Sequence, residues 1–129
     1  MTCFWKGILN GLNKYIFSYN LRTQTPKDLV YILKKYATVT TNVTCNGEYP
    51  KHNQLKENLK SIHELDINKI YNGYECSAFD PYLFLVSQLF IVNIEHNLNN
   101  TKIRYTFNHP KRQLETLYFR STLTHFEVI

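Results

Sequence analysis

Glycine and proline are scarce, four of each in 129 residues, which excludes a collagen-like chain or one built from linkers. Cysteine is scarcer still. Cys3, Cys45 and Cys76 are an odd number at wide spacing with no Cys-x-x-Cys pair, a poor disulfide framework and a poor zinc site, so a reducing, cytoplasmic compartment is expected. Long apolar runs are missing: Tyr82 to Val92 is the most hydrophobic stretch, is interrupted by Ser87 and Gln88, and falls short of the ~20 residues a bilayer requires. No membrane association is therefore expected. Met1-Thr2-Cys3 leads at once into a mixed segment, so no basic, apolar and small-residue leader is expected. Two Asn-x-Thr sequons, at Asn42 and Asn99, point the other way, but 14 asparagines make accidental sequons easy.

What is present is ordinary globular material, 43% hydrophobic and 19% charged, in a length that suits one domain over 1–129. The net charge of +5 attracts anions non-specifically. Its cations are scattered, densest over the acid-free first 27 residues and at Lys102, Arg104, Lys111 and Arg112, with no run of five. The 18 Tyr and Phe residues match neither ribonucleoprotein nor helix-turn-helix spacing. A solvated basic surface is the simpler reading, and a nucleic-acid-binding domain stands as an alternative motivated by the charge alone.

Helical spacing joins Phe4, Ile8, Leu12, Tyr15 and Tyr19, with Thr2 as N-cap and Cys3 in the first turn. Thr25-Pro26-Lys27-Asp28 predicts a second helix start, a cap with proline at the first position. Thr38–Cys45 reads as a strand closing on Asn46-Gly47, and Leu55, Leu59 and Ile62 as a third helix. Ser77-Ala78-Phe79-Asp80 reads as another capping box, opening an apolar and therefore central helix through Leu89 or Phe90. The period then becomes two: Ile91–His96 and Thr101–Phe107 predict a hairpin around Asn97–Asn100, with short strands at Leu117–Arg120 and His125–Ile129. Helices first and a mostly antiparallel sheet later define an α+β domain.

Cys3 carries the chemistry in this reading. Unpaired N–H groups at a helix start favour a thiolate, although a free cysteine is more often a small buried apolar residue. His125 and Glu127 fall on one strand face at period two, so the carboxylate can orient the ring as the third member of a Cys–His arrangement. The plain alternative is an edge strand with a polar face in water. Cys76 reads as a core residue, His52 and His63 as solvated, His96 as a hairpin-edge residue and His109 as a loop residue. No metal site or cofactor is expected.

Cys3-Phe4-Trp5 at a helix head resembles the Cys-[Leu/Phe]-[Phe/Trp] segment of ovarian-tumour (OTU) domain cysteine proteases. The later order is similar to the same family: the Tyr82–Phe90 helix, the Ile91–Glu95 strand, a hairpin, then Thr124-His125-Phe126-Glu127. The likeness spans the whole chain and is nearest to the short OTU-like proteins of large DNA viruses. It implies a papain-like fold with helices packed on a small sheet, Cys3 as nucleophile, His125 as general base, and Glu127 where many members carry Asp or Asn. It further implies a monomer acting on ubiquitin or a ubiquitin-like protein, in host cytoplasm if the chain is viral. Two residues precede Cys3 where the family usually has Asp-Gly-x, whose backbone N–H groups help form the oxyanion hole, and such a donor is worth ~3 kcal/mol. The chain is also short for the family and basic, whereas ubiquitin's arginine-rich tail suits an acidic groove. An inactive OTU-like domain that binds ubiquitin or a host protein is the corresponding alternative.

Overall fold

The computed structural model describes residues 4–15, 25–39, 42–71, 73–109, 111, 113–122 and 125–129. In this part of the chain four α-helices, α1 (Phe4–Tyr15), α2 (Pro26–Tyr36), α3 (His52–Glu64) and α4 (Pro81–Phe90), pack on a five-stranded sheet. Its strands are β1 (Val43–Cys45), β2 (Asn93–Leu98), β3 (Thr101–Phe107), β4 (Thr116–Ser121) and β5 (Phe126–Val128), in the order β1-β3-β2-β4-β5. Only β2 and β4 pair in parallel, so the domain is α+β with a mostly antiparallel open sheet.

Local chemistry accounts for the elements. Thr25 caps α2 through a reciprocal box in which its hydroxyl accepts from the Asp28 N–H and the Asp28 carboxylate accepts from the Thr25 N–H. Those bonds hold the Asp28 carboxyl below its ordinary value. The start of α4 differs from the expected box: Asp80, not Ser77, is the N-cap, accepting from the Tyr82 and Leu83 N–H groups, while the Ser77 N–H donates back to Asp80. Ile91 does not begin β2 but ends α4 in the left-handed region (φ 56°), so the strand starts at Asn93. The β2–β3 turn is Asn99-Asn100 alone, both at positive φ as a two-residue hairpin of this twist requires. Asn46-Gly47 turns after β1 as expected, but β1 is confined to the three residues that oppose Tyr105–Phe107. Thr38 lies outside the ladder and Thr40 and Thr41 outside the described residues, as do the Tyr19 end of the first helical stripe and its Thr2 cap.

Alternation sorts the sheet into two faces. Ile94, His96, Ile103, Tyr105, Leu117, Phe119, Ser121 and Phe126 are buried beneath the helices. Arg104, Tyr118 and Arg120 point to the other, exposed face, which is how an antiparallel sheet meets water on one side. Helix α4, apolar all round, contributes Leu83, Phe84, Leu85, Val86 and Phe90 to the centre.

Helix α1 lies directly on β4 and β5 because two glycines face them. A Cβ at Gly7 would stand 2.6 Å from the Phe126 ring, and one at Gly11 2.7 Å from the ring of the fully buried Phe119. Phe119 stacks on Phe126 with centroids 5.0 Å apart and cannot yield freely. Gly11→Val is expected to lower unfolding free energy in urea by about 3 kcal/mol through overpacking. Gly11→Ala should cost less, because alanine's helix propensity returns about 1 kcal/mol.

Candidate functional site

The first residue of α1 lies among aromatic rings. Phe4 is buried, with centroids 4.4 Å from Tyr74, 4.9 Å from Phe126 and 5.1 Å from Trp5. Burial of such rings is worth roughly 2–3 kcal/mol each before the gain from edge and offset contacts, so the start of α1 is firmly tied to β5. The other end is tied as well: Lys14 Nζ and Tyr15 Oη donate to the Ile129 backbone oxygen at 2.8 and 2.5 Å. Helix and strand therefore run side by side, with the head of α1 at the His125 end of β5.

Cys3 lies outside the described residues. Its chain neighbour Phe4 does not, and Phe4 meets Phe126, the chain neighbour of His125. On β5 the expected alternation holds at its centre: Phe126 turns inward, while Glu127 is half-exposed and His125, just before the strand, is exposed. The His125 Nε2 stands 3.4 Å from Glu127 Oε2, so the imidazole and carboxylate that period two places on one face are in contact. Arg120, opposite Glu127 in the β4–β5 ladder, donates from Nε to Glu127 Oε1 at 3.0 Å and from its terminal nitrogen to the same oxygen. These bonds, Arg120 first and His125 second, hold the Glu127 carboxyl below its ordinary range, so it is an anion at neutral pH. Spacing along the chain assigns Arg120 no role. The pairing does: antiparallel closure of the last two strands sets Arg120 against Glu127.

The two described cysteines sit in a different environment. Cys45 is buried and burial pushes its thiol up to about 12; Cys76, half-buried, is pushed up to about 12 by burial and then by the neighbouring Asp80. Both are thiols rather than thiolates at neutral pH and are poor nucleophiles. Cys76 packs against the core, as expected for it, and His52 and His63 are exposed.

His96 departs from its expected place. It is not at a hairpin edge but on the central strand β2, fully buried, with Nε2 2.6 Å from Ser121 Oγ and Nδ1 without a partner among the described residues. A buried N–H without an acceptor is costlier than an unused lone pair, which assigns the proton to Nε2 and leaves the Ser121 hydroxyl proton to Cys76. Burial pulls the His96 pKa down to about 4. A base depressed in the fold contributes stability that is complete above its unfolded value, ~6.5, and is lost as pH falls towards the folded value. Between pH 7 and pH 5 the wild type should therefore lose about 2 kcal/mol relative to His96→Gln, read as the change in the difference between their urea unfolding free energies.

Among the described residues no group of three or more His, Cys, Asp or Glu side chains is arranged to hold a metal, and no helix is long and apolar enough to cross a membrane. No family model matches the chain, and neither does any curated protein or solved structure compared with it.

Proposed function

We propose that this domain is a thiol-dependent isopeptidase that removes ubiquitin or a ubiquitin-like modifier, with an OTU-like, papain-type arrangement of Cys3, His125 and Glu127. The observation that carries the reading is the 4.9 Å contact of Phe4 with Phe126, which ties together the residues that follow Cys3 and His125. Two further features support it. Glu127 is a fixed anion in contact with His125, and burial removes Cys45 and Cys76 from competition as nucleophiles. Glu127 Oε2 stands 3.4 Å from Nε2 of His125, where it can stabilise the imidazolium.

In this mechanism the Cys3 thiolate attacks the carbonyl carbon after the modifier's terminal glycine, forming the C–S bond and a tetrahedral oxyanion. His125 passes its proton to the leaving amine as the C–N bond breaks. It then takes a proton from water, which attacks the thioester and releases the modifier's carboxylate and the Cys3 thiol. Glu127 stabilises the imidazolium form, and Arg120 holds Glu127 in place.

A non-catalytic reading is favoured by two observations: Phe126 turns towards α1 whereas Glu127, bonded to Arg120, lies on the opposite, exposed face of the sheet, and Arg120 engages Glu127 more closely than His125 does, an ion pair that braces the sheet edge whether or not the imidazole works. A nucleic-acid interface is less well supported, because cations of the exposed sheet face are already paired. Glu95 meets Lys102 at 3.6 Å and Arg104 at 3.4 Å, and Glu127 meets Arg120. Ubiquitin ending in a propargylamide separates the readings. A single adduct on wild type, absent from Cys3→Ala, is the expected result. A folded protein that binds ubiquitin without forming the adduct selects the non-catalytic reading, and an adduct that persists in Cys3→Ala contradicts the assignment of the nucleophile.

A further inference from the structure

At the sheet edge opposite β5, the turn after β1 and the starts of α3 and α4 enclose a cavity of about 490 Å³, within the ~300–1,000 Å³ typical of small-ligand sites. We infer that it binds a small aromatic carboxylate. Its wall offers donors without a protein acceptor among the described residues. Asn58 is 4% exposed; its Oδ1 accepts from Gln54 Nε2 at 2.9 Å, and its amide N–H groups have no partner among the described residues. Tyr105 is 1% exposed, and its hydroxyl oxygen accepts the Asp80 N–H at 2.7 Å, so its own proton is directed elsewhere. Burial raises the Tyr105 pKa, keeping that proton in place. The one buried carboxylate in the wall, Asp80, is already saturated by the Tyr74 hydroxyl and the N–H groups of Ser77, Tyr82 and Leu83.

Positive potential comes from the 13-residue helix α3, whose start lines the cavity. Lys51 at its N-cap makes no side-chain cap bond and lines the cavity together with Glu48, while Asn53 Oδ1 accepts one of the helix's first N–H groups, that of Gln54, at 3.0 Å and leaves the others to a ligand. The apolar body of the ligand would lie between Tyr49 and Phe79, rings left 50% and 60% exposed, and against the buried Phe84. Buried donors, a carboxylate that is already saturated, and two uncovered rings at the entrance match an acid on a flat apolar frame. The cavity is separate from the Cys3–His125 reading and does not depend on it.

Titrating the ¹⁵N-labelled full chain with 1-naphthylacetate, and in parallel with the neutral 1-naphthylacetamide, tests the assignment. Amide shifts centred on Cys45, Asn58, Phe79 and Tyr105 are expected, with the neutral probe binding about tenfold more weakly. Asn58→Asp keeps the acceptor for Gln54 but replaces the donor with a repelling oxygen, and should weaken the acid by about tenfold or more. Exposed Lys51→Glu, which leaves the core untouched, should weaken it as well. Equal binding of acid and amide, shifts centred elsewhere, or indifference of the acid to Lys51→Glu would overturn the proposal.

Discussion

His125→Ala is expected to lower the rate of ubiquitin C-terminal amide hydrolysis by about a thousandfold, roughly 4 kcal/mol of barrier, with little change in unfolding free energy. The rate effect is large because one imidazole serves twice. In the proposed mechanism it holds the thiolate as an ion pair before attack, and it delivers the proton without which the amine cannot leave. The stability effect is small because the ring is exposed and outside the hydrophobic core. Glu127→Gln should cost far less, about tenfold, since the carboxylate reaches His125 only at 3.4 Å and its other oxygen is committed to Arg120. Arg120→Met should then act in the same direction as Glu127→Gln, by freeing the carboxylate to turn. Initial rates on a fluorogenic ubiquitin amide check all three. A His125→Ala protein with undiminished turnover would remove His125 from the mechanism.

Asp80→Ala should lower the unfolding free energy in urea by about 3–5 kcal/mol, a large loss for one polar side chain. Asp80 is fully buried and accepts from the Tyr74 hydroxyl at 2.6 Å and from three backbone N–H groups. Its loss leaves the Tyr82 and Leu83 N–H groups at the head of the central helix buried without an acceptor, at about 1–3 kcal/mol each. The helix cap, itself worth about 1 kcal/mol, goes with them. Asp80→Asn preserves Oδ1 for those two donors and should cost less than half as much. Burial raises the Asp80 carboxyl above its ordinary 3.8, against the pull of its four donors. An acid raised in the fold contributes stability that is complete below its unfolded pKa and is lost as pH rises through the folded one. Its sign is therefore opposite to that of His96, which is why the His96 effect is best read as a difference between wild type and variant.

Periodicity makes most of the architecture legible. The Thr25-Pro26 start, the α4 stripe and the β2–β3 hairpin follow from capping chemistry and from the change of period after Phe90, and α+β follows from their order. Boundaries are less so. Ile91 in the left-handed region has no local signature, because a β-branched residue is a poor choice there and is held by bonds from Ser87: the Val92 N–H donates to the Ser87 carbonyl and the Ser87 hydroxyl to the Val92 carbonyl. Of the candidate site, the in-phase His125 and Glu127 can be read from alternation, whereas Arg120 requires knowing that β4 and β5 pair. Long-range packing is invisible. Nothing local distinguishes Gly7 and Gly11 from ordinary helix-weakening glycines until the Phe119 and Phe126 rings lie against them. His96 looks like a hairpin residue because strand order, which places β2 in the middle of the sheet, cannot be read from spacing. Asn58 and Tyr105 likewise become a donor pair only when β3 and α3 face one cavity.

The rate of iodoacetamide alkylation at Cys3, followed against pH by mass spectrometry, tests the central pairing most directly. Cys45 and Cys76, with thiols near 12, react too slowly at neutral pH to obscure it. If Cys3 and His125 form an ion pair, the rate reaches its plateau with a midpoint well below the ~8.5 of a free cysteine, and His125→Asn moves that midpoint upward. A midpoint at or above ~8.5 that is the same in wild type and His125→Asn would contradict the pairing and the hydrolytic mechanism with it.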